Sequence, residues 1–235
     1  MKTYTVLKTN GSPVWENIPA LEVSEIQWLP DAGIRMTAQI CYDETGFYVR
    51  QRAWEEKLRV QVTEALGAVC EDSCMEFFFS PNGDERYFNI ECNPIGTLYF
   101  GFGAQRETRM RLILKDAKAL LSLETERYAD GWEIRYHIPL SFIRLFYPDF
   151  TLTGGRRFTA NCYKCGDRTD TPHYLAWNPL HCDTPDFHRP GDFGEMRQNR
   201  GRLSMESRSG RRRRALRCTV RFRASHALLL AGRTG

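Results

Sequence analysis

CEDSCMEFFFSPNGDERYFNIECN, residues 70 to 93, is the stretch whose reading decides the fold. Two runs rich in aromatic residues flank Pro81-Asn82-Gly83-Asp84, the pattern of a β-hairpin with a loop longer than two residues. Successive strand side chains point to opposite faces, so Phe77 and Phe79 share one face while Glu76, Phe78 and Ser80 take the other. On the return strand Phe88, Ile90 and Cys92 fall together, as do Tyr87, Asn89, Glu91 and Asn93. One face is apolar and is predicted as core. The other presents two carboxylates and two amides at regular spacing and is predicted to be open.

The same period recurs on both sides of this hairpin. Tyr4 to Lys8 reads as a first strand, and Trp15 and Trp28 stand as aromatic anchors in the lead-in. Met36, Ala38, Ile40 and Tyr42 alternate with polar residues before an Asp43-Glu44-Thr45-Gly46 turn into Phe47 to Gln51, a second hairpin. Residues 54 to 66 fit either a helix or a strand. Further strands are predicted within 96 to 103, 112 to 114, 124 to 128, 132 to 139 and 157 to 164, with a short helix from Pro139 or Ser141 to Phe146, stopped by Pro148. Short strands with one or two short helices define an all-β fold, an antiparallel β-sandwich of jelly-roll or immunoglobulin-like type. Residues 166 to 194 are turn-rich and read as a long loop, and Phe193 to Met196 as the closing strand.

A chain of 235 residues with 42% hydrophobic content supports one core rather than two. The formal net charge of +4 averages two unlike parts. Residues 197 to 235 hold twelve arginines and one acid, Glu206, so residues 1 to 196 carry 21 basic and 28 acidic side chains. A β-sandwich over 1–196 and an arginine-rich tail over 197–235 are therefore predicted. The tail reads either as a polyanion-binding arm or as a disordered appendage, and the mildly acidic body argues against a nucleic-acid partner. No run of 18 apolar residues exists, so no membrane span is predicted, and MKTYTVLKTNGSP lacks a charged start leading into an apolar core, which predicts a cytoplasmic chain. Eight irregularly spaced cysteines then read as reduced thiols, several of them buried.

The polar side chains of the central hairpin admit two readings. Glu76, Asn89 and Glu91 form either a structural ladder, in which cross-strand pairs contribute roughly 0.2–1 kcal/mol each, or a surface that meets a ligand. Arg135, His137, Asn161 and Tyr163 extend that surface if their strands adjoin the hairpin. Trp177, in the long loop, is either a core anchor or a stacking platform. The lone Cys162-x2-Cys165 and the Cys70-x3-Cys74 spacing do not make the paired half-sites of a zinc centre, so no metal is assigned.

DSCMEFFFSP at 72 to 81, YFNIECNPIG at 87 to 96, WEIRYHIP at 132 to 139 and FHRPGDFGEM at 187 to 196 resemble the carbohydrate-binding module family 9-like proteins, β-sandwiches related to DOMON-type domains. The similarity spans about residues 12 to 196. It implies sugar or polysaccharide binding without catalysis. In the sugar-binding members two tryptophans clamp a terminal ring while a Glu, an Arg and an Asn bind its hydroxyls. Glu76 matches the Glu and Trp177 the second tryptophan. Cys70 falls near the position of the first tryptophan, and Asn89 near that of the arginine. Joined to the polar residues that strand parity placed on the face, these matches give a predicted ligand-binding set of Glu76, Asn89, Glu91, Arg135, Asn161, Tyr163 and Trp177. Calcium bound by loop oxygens occurs in this family, with Asp167, Asp170, Asp183 and Asp186 as candidates; no other cofactor is expected.

Two alternatives remain open at this point. Glu76 and Glu91 could serve a glycoside hydrolase, which needs carboxyl groups about 5 to 9.5 Å apart flanking the scissile bond, although no Ser-His-Asp set, phosphate loop or cofactor motif accompanies them. The polar face could instead meet another protein.

Overall fold

The computed structural model describes residues 1–113 and 116–199. In chain order the elements are β1 (Thr3–Lys8), β2 (Leu21–Val23), β3 (Glu25–Ile26), β4 (Arg35–Tyr42), β5 (Gly46–Trp54), β6 (Cys74–Ser80), β7 (Tyr87–Cys92), β8 (Leu98–Gly103) and β9 (Met110–Arg111). Then follow α1 (Ala117–Leu121), β10 (Glu124–Tyr128), β11 (Gly131–Pro139), α2 (Leu140–Ile143), β12 (Arg157–Cys165), β13 (Tyr174–Ala176) and β14 (Gly194–Gln198). β14 runs two residues past the predicted end of the sandwich. From residue 200 the arginine-rich tail lies outside the described residues.

The strands make a β-sandwich. One sheet runs β10-β11-β5-β4-β1, the other β1-β14-β12-β6-β7-β8-β9. β1 belongs to both: Thr3 to Val6 pair with β14 and Leu7 and Lys8 with β4, each time in parallel, while the other pairings are antiparallel. Both predicted hairpins form. Between β4 and β5 the Asp43 carboxylate accepts from the Thr45 amide at 2.7 Å and its hydroxyl at 2.6 Å, an Asx-type turn. Between β6 and β7 the turn needs a left-handed residue, and Gly83, at φ 67°, supplies it.

Phe77, Phe79, Phe88, Ile90 and Cys92 all lie in the main core between the sheets, the place their parity predicted. The opposite face is not open. Phe78, Tyr87 and Tyr163 form a second apolar cluster with Ala176, Leu180 and Phe193, because the segment from 166 to 193 folds over the outer face of the sheet. Every residue of β6 and β7 is consequently buried. Residues 55 to 66 form neither helix nor strand. The buried Asp72 carboxylate accepts from the Gln61 and Val62 amides and pairs with Arg59, so this backbone is tied to one side chain and not to a ladder. Among the described residues no helix is long and apolar enough to cross a membrane.

Candidate functional site

Register places the polar side chains in rows across the outer face of the second sheet. Tyr163 on β12 pairs with Glu76 on β6, Glu76 with Glu91 on β7, and Glu91 with Tyr99 on β8. Residues directly paired across strands share a face, so these four stand side by side. The next row is Asn161, Phe78, Asn89 and Gly101. A side chain at Gly101 would meet Asn89 Oδ1 at 2.4 Å, so glycine leaves the room the Asn89 amide occupies. Asn89 Nδ2 donates to Glu91 Oε1 at 2.7 Å, and Arg109 Nη1 donates to Asn89 Oδ1. The guanidinium of Arg109 lies over the Tyr87 ring, 4.4 Å from its centroid.

Above the Glu76–Glu91 pair a pocket of about 280 Å³ opens to solvent. Its walls are aromatic, from Trp28, Tyr99, Tyr174 and Phe187, and basic, from Arg106, Arg109 and Arg111. Phe187 is fixed from below: its ring stacks on Tyr163 at 4.1 Å with 5° between planes, and its carbonyl accepts from the Tyr163 hydroxyl at 3.1 Å. Trp28 is fixed from the side. Its Nε1 donates to the Cys182 carbonyl at 2.8 Å, and its ring meets Tyr174 edge-on at 5.4 Å. Its backbone is left-handed, φ 55°, a conformation that costs an ordinary residue roughly 1–3 kcal/mol and that clusters at functional positions.

Burial favours the neutral form of both floor carboxyls. Burial, reinforced by the facing Glu91, raises the Glu76 pKa well above the usual carboxylate range. Glu91 is raised to about 7, first by burial, with the Asn89 bond and Arg109 pulling the other way. The shift favours the protonated form of Glu76, which can donate through O–H as well as accept. His188, whose Nδ1 lies 2.9 Å from the Tyr87 hydroxyl, is pushed down to about 3 by burial and by the neighbouring arginines, and so is neutral.

The structure brings together five of the seven residues singled out from sequence and separates two. Glu76 and Glu91 line the pocket. Asn89 orients Glu91, and Tyr163 carries Phe187. Asn161 shares the face, but its amide is spent on the chain, donating to the Asn178 carbonyl and accepting from the Cys162 and Asn178 amides. Arg135 lies on β11 in the other sheet, among Glu124, Glu126 and Glu133. His137 is there too, stacked on Tyr48. Trp177 is buried in the main core, where Gly194 makes room for its ring. Its amide donates to the Cys162 carbonyl, which continues the β12–β13 ladder and turns the indole inward. The wall residues that sequence reasoning missed are Tyr99, Arg106, Arg109, Arg111, Tyr174 and Phe187; Trp28 was visible only as an unassigned anchor. Of the calcium candidates, Asp167 and Asp186 line the pocket.

Comparison with known proteins agrees with this architecture. The family model described as carbohydrate-binding family 9 matches residues 7–198. A provisionally assigned carbohydrate-binding protein from Bacteroides uniformis ATCC 8492 is 27% identical, with a TM-score of 0.73 over 84% of this chain and 99% of its own. A carbohydrate-binding module of family 9 from Caldicellulosiruptor kristjanssonii, in complex with cellotriose, is 13% identical, with a TM-score of 0.62 over 87% of this chain and 97% of its own. A family 9 module from the same organism in complex with glucose has the same TM-score at 12% identity, over 87% of this chain and all of its own. The last two likenesses speak to the fold alone. No curated protein sequence matches the chain.

Proposed function

This chain belongs to carbohydrate-binding family 9, and from that premise we propose that it binds a sugar ring, without turning it over, in the pocket walled by Trp28, Tyr99, Tyr174 and Phe187. The observation that carries the reading is the combination of aromatic walls with a hydrogen-bonding floor of buried carboxyls. Aromatic faces suit the C–H face of a pyranose, and fixed polar groups on the floor suit its hydroxyls. Each hydroxyl both donates and accepts. Protonated Glu76 answers in both senses, Glu91 accepts, and Arg109 donates.

Binding fits this geometry better than hydrolysis does. Glycoside hydrolysis sets one carboxyl on each side of the scissile bond. Glu76 and Glu91 are direct cross-strand partners on one floor, so a ring resting on the pair has both carboxyls beneath it. A glycan array followed by calorimetry against mono- and oligosaccharides tests the reading. Glu76→Ala is expected to weaken binding by at least about 1 kcal/mol, roughly fivefold. Silence across both assays with a folded sample would sink it, and turnover of chromogenic glycosides abolished by Glu91→Gln would put hydrolysis in its place.

A further inference from the structure

Beside the sugar-facing carboxyls lies a second constellation. Cys74 on β6 and Cys165 on β12 are direct cross-strand partners, and both point to the outer face with Glu76. The two thiols and the Glu76 carboxyl are each buried, and one donor atom from each lies within 4.8 Å of the others. Cys165 Sγ is 3.1 Å from Glu76 Oε1 and Cys74 Sγ 3.9 Å from it. Both thiols are free. Zinc bonds of about 2.3 Å to sulfur and about 2.1 Å to oxygen put a tetrahedral sulfur and oxygen about 3.6 Å apart and two sulfurs about 3.8 Å apart, so shifts of about half an ångström bring the carboxyl oxygen and the two thiols to the corners of one face of such a tetrahedron.

We propose that Cys74, Cys165 and Glu76 bind a thiophilic divalent cation of the zinc type, with the fourth position open to the pocket. Three protein donors with one position left to water is the arrangement of an open zinc site. An oxygen-seeking cation such as calcium does not fit a donor set with two sulfurs. The entry path exists, since Glu76 and Cys165 line the solvent-open pocket. β-sheet register, not a loop, holds the two cysteines, so the donors are ordered before the ion arrives. Sequence spacing hid the site because the paired half-site it looks for is here split between strands 91 residues apart. Neither the Cys162-x2-Cys165 nor the Cys70-x3-Cys74 motif supplies both thiols: Cys162 points into the main core.

The cation needs Glu76 ionised, whereas the sugar reading uses its proton. The two occupancies are alternatives, and the test is run without sugar. The reduced full-length chain is titrated with Co2+ as a spectroscopic stand-in for zinc. Saturation at one ion per chain, with an intense near-ultraviolet band of two thiolates bound to tetrahedral cobalt and its bleaching by equimolar Zn2+, is the expected result. Cys165→Ser should weaken cobalt binding at least tenfold and reduce the band, while Cys182→Ser, a loop cysteine outside the cluster, should leave both unchanged. No thiolate band in the wild-type chain overturns the proposal even if no variant folds. A band that survives Cys165→Ser, or depends on Cys182, overturns it as well. Failure here leaves sugar binding standing, and silence on a glycan array leaves the cobalt result standing.

Discussion

Replacing Glu91 by glutamine should tilt the pH dependence of stability in a defined direction. Burial holds the Glu91 pKa up to about 7, against about 4.3 in an unfolded chain. Across that interval the folded protein keeps a proton that the unfolded chain has released, so stability falls as pH rises, by up to about 1.4 kcal/mol per pH unit and about 4 kcal/mol in all. Glu76, also raised by burial, acts in the same sense. His173 acts oppositely. Burial and the neighbouring Lys164 push it down to about 4, so the unfolded chain, with a histidine pKa of about 6.5, takes up a proton that the folded chain refuses, and stability is lost as pH falls. His188, pushed down to about 3, acts in the same sense as His173, so between about pH 5 and about pH 6.5 both histidine slopes run against that of Glu91. Glutamine can keep the hydrogen bond from Asn89 but cannot titrate. The stability of Glu91→Gln relative to the wild type should therefore rise with pH across that window by about 1 kcal/mol per pH unit. Urea unfolding at several pH values, with m-values checked for constancy, measures it. A difference from wild type that does not vary with pH would refute the claim that Glu91 is buried as a largely neutral acid.

Trp177→Ala should cost about 3–5 kcal/mol by opening the main core while leaving the sugar affinity of the folded fraction unchanged; Tyr99→Ala should do the reverse, and denaturant titration beside calorimetry separates them. Lys164, fully buried, pairs with Glu55 at 3.0 Å and approaches His173 Nε2 at 2.8 Å. Lys164→Met would strand the buried Glu55 carboxylate, so a loss of about 3–5 kcal/mol is expected, and a urea midpoint equal to that of the wild type would contradict the pairing.

Strand parity was legible from the chain itself wherever alternation was strong. Phe77, Phe79, Phe88, Ile90 and Cys92 took the core face because a period of two leaves no other choice once one face must be buried. Parity cannot tell which strands adjoin. Arg135 has the alternation of a face residue, yet β11 pairs with β5 and so carries it to the other sheet, whereas β12 pairs with β6 and carries Asn161 and Tyr163 to the hairpin. Nor could it tell that the polar parity was roofed. The roof is the 166 to 193 segment, whose only strand, β13, is three residues long, too short for a periodic signal. That strand decided Trp177, turning the one tryptophan of this segment inward. Phe187 and Trp28 reached the pocket through turns with no pattern at all. Likewise Arg109 follows the irregular stretch after β8 and is identified only by its bond to Asn89 and its place over Tyr87.

Whether a sugar is held over the Glu76–Glu91 floor is decided by a crystal structure of the chain soaked with a sugar selected on the glycan array. A pyranose ring is expected against Trp28, Tyr99, Tyr174 or Phe187, with hydroxyls within hydrogen-bond distance of the Glu76 or Glu91 carboxyl. Sugar density on the outer face of the other sheet, beside Arg135, with the pocket holding only water, would contradict it.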